Sequence, residues 1–362
     1  MTEGANRTSP DYVRLSLAAA ITLSLRSGLF YRGARLHCLN LLLTYEGGCR
    51  ARCAYCGLSA GNGGGPGSFI RVEWPVFSVD EVLSRVRSSS HGLERICISM
   101  VMHPQALSHT LELTRRLNRD PGLPVSILVN PSTIREGDLE ALREAGADMA
   151  TVAVDTATEA LFTRYRGREA GGPHRWDRYW RTLEEAAIVF GRDRFGCHLI
   201  AGLGESEKEM IDTIQRVRSL GGRSHMFAFY PEPGSNLAEA EACPPSRFRR
   251  MQLARFLIDY GLAGSGGMEY DEQDRLVCFG LEASALDDLV ESGRPFLTSG
   301  CPGATHECAC NRPFGDGPPD DIRSYPFQLE AGDIELVKKQ LAIYNELPPV
   351  LKEPGSESFS GG

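Results

Sequence analysis

Cysteines carry the first chemical message of this chain. Cys49-Arg-Ala-Arg-Cys53-Ala-Tyr-Cys56 places three thiols within eight residues, just behind Gly47-Gly48 and the apolar run Leu39 to Leu43. Three thiolates on one loop after a strand converge on an iron–sulfur cluster or, with a fourth ligand, on zinc. Four cysteines would close a [4Fe–4S] cluster. Three leave one iron open to an outside ligand, and an open metal position marks chemistry rather than bracing. A structural zinc site would want a fourth thiolate or imidazole at short spacing. Disulfides fit less well still: a chain of 362 residues needs no staples, 11 cysteines is an odd count, and nothing looks secretory. The expected compartment is therefore reducing and cytoplasmic.

A second group follows late in the chain, in Cys301-Pro-Gly-Ala-Thr-His-Glu-Cys308-Ala-Cys310-Asn-Arg-Pro-Phe. Three cysteines in ten residues of a Gly- and Pro-rich loop have no packing purpose, so Cys301, Cys308 and Cys310 read as ligands of a second iron–sulfur cluster. Adventitious zinc and plain thiols are the alternatives. Cys38 or Cys278 would complete this set from the body, and His306 reads as an exposed loop histidine, with a ligand role as the alternative. Cys97, Cys197 and Cys243 read as scattered buried thiols.

The elements that must position these groups are legible from periodicity. Short aliphatic runs at Cys38–Leu43, Arg95–Met100, Val125–Val129, Met149–Val154, Phe195–Ile200 and His225–Tyr230 alternate with amphipathic stretches. The latter fall at Val79–Ser88, Ala106–Leu117, Glu136–Ala145, Trp176–Phe190 and Glu207–Leu220. Six strand–helix units suit a parallel α/β fold, either a partial (β/α)6 TIM-like barrel or an open doubly wound sheet. Ligands then sit at the carboxyl ends of the strands. The expected layout is an N-terminal helical segment (1–35), a core (36–240), an extension with the late cysteine loop (241–330), and a C-terminal helix with a flexible tail (331–362). Tyr12 to Leu29 reads as an amphipathic helix, since Arg14 and Arg26 bound a run too short for a membrane span. A formal charge of −8 argues against a nucleic-acid surface.

The CxxxCxxC spacing, with Tyr55 ahead of the last cysteine, resembles the radical S-adenosylmethionine (radical SAM) family. That resemblance implies a [4Fe–4S] cluster on Cys49, Cys53 and Cys56, with SAM on its open iron. One electron then cleaves the sulfonium to a 5′-deoxyadenosyl radical. Ile200-Ala-Gly202-Leu-Gly204-Glu205 is similar to the adenine-lining motif of biotin and lipoyl synthases, although His198 stands where the wider family has glycine. Asp155, in Ala153-Val-Asp-Thr156, falls where biotin synthases carry a ribose-binding carboxylate. Read from the residues alone, it equally caps a helix at Ala157–Tyr165. Ser99 stands where many members hold the methionyl amine, and Arg178 lies one position from a SAM-carboxylate arginine. Tyr230-Pro-Glu-Pro-Gly234 is similar to a biotin synthase turn. The late loop resembles a Cys-Pro-x-Cys-Asn-Arg-Pro pattern near lipoyl synthases, in which Cys301 and Cys310 match best.

What the resemblance implies is a sulfur-inserting enzyme like the lipoyl synthases. An octanoylated carrier protein and a second radical SAM protein are the expected partners, with a reductase, flavodoxin or ferredoxin as electron source and no nucleic acid or membrane. One alternative keeps the SAM chemistry and makes the second cluster an electron conduit or substrate anchor. The other is a non-catalytic iron–sulfur or zinc protein.

Overall fold

The computed structural model describes residues 7–60, 68–69, 71–88, 92–305, 308–314 and 316–342. Its centre is one eight-stranded sheet. In chain order the strands are β1 (Tyr12–Leu15), β2 (Cys38–Leu43), β3 (Val76–Ser78), β4 (Arg95–Ser99), β5 (Val125–Val129), β6 (Ala147–Asp155), β7 (Phe195–Ala201) and β8 (Arg223–Ala228). Around it lie α1 (Leu17–Thr22), α2 (Val79–Ser88), α3 (Ala106–Arg119), α4 (Asp138–Glu144), α5 (Glu159–Tyr165), α6 (Trp176–Phe190) and α7 (Glu207–Ser219). α8 (Pro245–Asp259), α9 (Ala283–Glu291) and α10 (Ala331–Ala342) follow.

The spatial order is β8-β7-β6-β5-β4-β2-β1-β3, and the pairings from β2 through β8 are all parallel. Six parallel strands therefore neighbour one another in the order in which they occur along the chain. A doubly wound sheet reverses that order at a switch point, and this one does not. Sheet twist without reversal curls the strands into a partial barrel, as in a TIM-type fold. Both faces of such strands are covered, which is why they read as near-continuous aliphatic runs. In β2, five of the six residues are buried.

Local chemistry fixes the connections. Ser206 and Glu209 form a capping box that starts α7 right after β7. Gly47 and Gly48 both have left-handed backbones, with φ of 79° and 69°, so the chain leaves β2 and folds back over the barrel mouth at little cost.

The N-terminal expectation needs correction. Tyr12 to Leu29 is not one helix: Tyr12–Leu15 pairs antiparallel with both β2 and β3, and only Leu17–Thr22 is helical. Period-two burial in Tyr-Val-Arg-Leu was hidden beside an alanine-rich run, and Ser16, whose side chain accepts from the Ala19 N–H, marks the change.

The chain beyond β8 returns to the barrel through α8. Arg249 is fully buried; its Nη1 and Nη2 donate to the carbonyls of Arg323 and Ile322, both at 2.6 Å, and Nε donates to Gln340 at 2.7 Å. One guanidinium thus ties the segment after the late cysteines and α10 to the core. Tyr230 adds a second tie, donating to Asp321 at 2.6 Å. Among the described residues, no helix is long and apolar enough to cross a membrane. His306 and the tail beyond residue 342 lie outside the described residues.

Candidate active site

The early cysteine loop lies across the carboxyl ends of the strands, pinned by its own backbone. Arg50 N–H donates to Met102 beyond β4 at 2.9 Å, and Ala54 N–H donates to Tyr165 at the end of α5 at 2.7 Å. Met102 N–H points at Cys49 Sγ, 3.4 Å away. Burial raises the Cys53 thiol, with Arg166 acting the other way; burial and then the neighbouring Cys53 push Cys56 well up. The three sulfurs are thus close enough to feel one another's charge. A thiol trio of this kind, with Cys53 buried and Cys49 and Cys56 half-buried, is unfavourable as thiolates without a cation, and bound iron is the cation that repays it. Among the described residues, no three His, Cys, Asp or Glu side chains stand in the geometry of a single ion. A cubane places each thiolate on a different iron, and three thiols on one loop are the donor chemistry it takes.

Asp155 ends β6 with a left-handed backbone, φ of 67°, which a non-glycine residue adopts only when its surroundings impose it. Tyr55, from the cysteine loop, donates to its Oδ2 at 2.5 Å, and Arg166 Nη1 lies 3.0 Å from the same oxygen. Arg166 is itself buried. It also donates to the carbonyls of Ala153 and Val154, and lies against Tyr179. The capping alternative for Asp155 falls away, because α5 is capped by Thr158, whose side chain accepts from Leu161 N–H at 3.2 Å. Behind Arg166, His174 Nδ1 meets Ser132 at 2.7 Å and Tyr179 at 2.9 Å, and burial, then Arg166, holds its imidazole neutral with a pKa near 2.

A cavity of about 140 Å³ adjoins this group, walled by Tyr55, Cys56, Asp155, Ile200 and Glu232. It shares Arg71, Leu128, His198, Phe227 and Tyr230 with a larger cavity of about 700 Å³ in the barrel interior. Ser99 lies on the wall of the larger one. The Gly202–Glu205 turn stands at the end of β7, but Glu205 is occupied by its own fold: its carboxylate accepts from Gly202 N–H at 2.7 Å and Leu203 N–H at 3.0 Å, and Arg247 covers it. Gly202 has φ of 104°, and a Cβ there would meet Cys243 at 2.6 Å. Of this motif, Ile200 reaches the small cavity. Arg178 is held apart from this group: its guanidinium donates to the carbonyls of Pro131 and Ile134 in the β5–α4 connection.

The late cysteines come to the opposite, amino-terminal end of the strands. Cys301 and Cys310 wall the larger cavity together with Cys97. A hydrogen bond from Cys38 draws Cys310 down to about 6, against burial, and Arg312 and Asn40 reinforce it. Asn40 Nδ2 lies 3.4 Å from Cys310 Sγ, and Thr151 Oγ1 3.7 Å from Cys301 Sγ. Burial raises Cys97, and the nearby Cys310 and Cys301 add to it. Cys97 is thus no scattered thiol, and Cys38 joins the group from β2. Cys278 sits elsewhere, in a small hairpin of Glu269–Tyr270 with Leu276–Cys278.

Comparison with known proteins agrees with this geometry. Residues 45–217 match the Radical SAM superfamily. The chain is 27% identical over 252 residues to a biotin synthase of Thermus thermophilus, covering 67% of this chain and 72% of that one. It is 24% identical over 270 residues to a biotin synthase of Bordetella avium, covering 73% and 78%. Among solved structures it is similar to HydG, a maturase of the [FeFe]-hydrogenase, with a TM-score of 0.46 and 13% identity over 67% of this chain and 54% of that one. A radical SAM methyltransferase of Kitasatospora setae, with a [4Fe–4S] cluster bound, gives 0.38 and 16% over 68% and 44%. The chain spans about half the length of these two structures. With the cysteine loop, the parallel barrel and the match over residues 45–217 in hand, the chain is similar to the radical SAM superfamily and to the biotin synthases; its cofactors are a [4Fe–4S] cluster and SAM.

Proposed function

We propose that this protein inserts sulfur into an unactivated C–H bond, and that Cys301, Cys308 and Cys310, with Cys38 and Cys97, hold a second iron–sulfur cluster. The observation that carries this reading is the shared interior, walled by Cys56 and Asp155 at one end and by Cys97, Cys301 and Cys310 at the other. A substrate lying there faces both cysteine groups. When bound, the first cluster with SAM supplies a hydrogen-abstracting radical, and the second cluster supplies sulfide. The chain's own residues position and enclose. Asp155, oriented by Tyr55 and Arg166, accepts the ribose hydroxyls. Leu128, Phe227 and Phe327 present apolar walls that suit an aliphatic skeleton and keep water from it. An octanoylated carrier protein fits that wall chemistry, and a second radical SAM protein belongs to the same reading.

Loss of sulfide is the test. Over a single turnover, acid-labile sulfide falls in proportion to product, and sulfur-34 loaded into the second cluster appears in the product. A cluster that survives turnover whole leaves the electron-conduit or substrate-anchor role in its place.

An electron must reach the first cluster from outside, and the surface there is basic. Arg50, Arg52, Arg164 and Arg168 are exposed around the loop, outnumbering the exposed acids Glu46 and Glu169 there, on a chain of net charge −8. An acidic flavodoxin or ferredoxin suits that patch. Reversing Arg50→Glu with Arg52→Glu is expected to slow reduction by such a carrier about 10-fold or more at low salt. High salt narrows the gap. Equal slowing with the small reductant dithionite would remove the docking interpretation.

A further inference from the structure

His225, the third residue of β8, is 4% exposed, yet neither ring nitrogen has a hydrogen-bond partner among the described residues. Buried imidazoles are ordinarily satisfied, so two orphaned nitrogens on one ring ask for a ligand that the protein alone does not supply. Its position says which. His225 walls the same cavity as Cys97, Cys301 and Cys310, and it also walls a lower cavity of about 1040 Å³ that Cys308 lines. The chain entering the late loop is fastened beside it, because the next residue, Met226, donates its N–H to Ser299 Oγ at 3.1 Å. Gly300 follows, and a Cβ there would lie 2.8 Å from Cys308 Sγ and 2.9 Å from Cys310 Cβ. On the neighbouring strand, Gly196 of β7 leaves room for the ring: a Cβ at that position would sit 2.8 Å from His225 Nε2. The imidazole therefore fills the space of a missing side chain at the cysteine-lined end of the barrel.

We propose that His225 is a nitrogen ligand of the second cluster, which is thereby held by imidazole as well as thiolate. This rests on the second-cluster reading given above. A neutral imidazole in place of a thiolate makes the cluster less negative and raises its reduction potential. Cys38, Cys97, Cys301, Cys308 and Cys310 outnumber the positions left over, so at least one of them serves as a hydrogen-bonding neighbour instead.

The experiment uses full-length protein reconstituted anaerobically with iron and sulfide, compared with His225→Ala and His225→Cys. Wild-type protein is expected to bind iron beyond the roughly four atoms of one [4Fe–4S] cluster. Its reduced second cluster should show nitrogen hyperfine coupling by pulsed electron paramagnetic resonance. His225→Ala loses that coupling, and His225→Cys loses it while lowering the cluster's potential. The SAM-sensitive signal of the first cluster serves as the folding control in each variant. A nitrogen coupling and potential unchanged in both variants would make His225 a packing residue only and overturn the assignment, leaving the second cluster itself intact. Wild-type protein that binds only about four irons overturns both.

Discussion

Cys53→Ala is expected to abolish 5′-deoxyadenosine release altogether. Cys53 is the middle cysteine of the trio, 7% exposed and beside Arg166. Anaerobic reconstitution should show the variant losing about four irons, which corresponds to one [4Fe–4S] cluster. Cys310→Ala provides the contrast, since it lies at the other end of the barrel. It should still cleave SAM while yielding no modified product. Chromatographic assay of 5′-deoxyadenosine and product in the two variants checks this, and identical behaviour would contradict the division of labour between the two cysteine groups.

The second large effect is on stability. Arg166→Met removes the buried cation beside the Asp155 carboxylate, 9% exposed, and takes away donors to two strand-end carbonyls as well. Removing one partner of a buried ion pair strands the other, a loss of about 3–5 kcal/mol. Denaturant unfolding of the metal-free protein should show a loss of that size. Asp155→Asn in the same background should recover part of it, because the stranded charge is then gone. Arg166→Lys should recover little: an ammonium cannot span the carboxylate and both carbonyls as the planar guanidinium does. A change within about 0.5 kcal/mol for Arg166→Met would show that the site does not depend on this cation.

What could be read in advance was local. The trio Cys49, Cys53 and Cys56 is contiguous, its glycine pair sits beside it, and the six strands announce themselves as aliphatic runs of the right length. Boundaries such as Val79–Ser88 and Val125–Val129 match residue for residue. Asp155 was visible because it ends a strand. Its supports were not: Arg166 is 11 positions away and looks like an ordinary basic residue after a helix, and Tyr179 and His174 join only through folding. The same holds for Cys97, which reads as core filler until β4 brings it to Cys301, more than 200 residues later. Arg178 is the opposite case, since proximity in sequence to a known pattern says nothing about its bonds to the carbonyls of Pro131 and Ile134. His225 carried no signal, as its meaning lies in the hydrogen bonds it lacks.

The clamp of Arg249 on Ile322 and Arg323 has a consequence for how such a protein diversifies. Much of the wall of the cavity of about 700 Å³ comes from residues between Ser299 and Phe327, which this guanidinium and Tyr230 help to fasten onto the barrel, together with Met226 and Arg95. On the reading proposed above, the cysteine trio that starts the reaction and about half of the wall that faces the substrate are carried on separate stretches of polypeptide. Exchange of the later stretch between relatives would redirect the enzyme to another molecule while its engine stayed untouched.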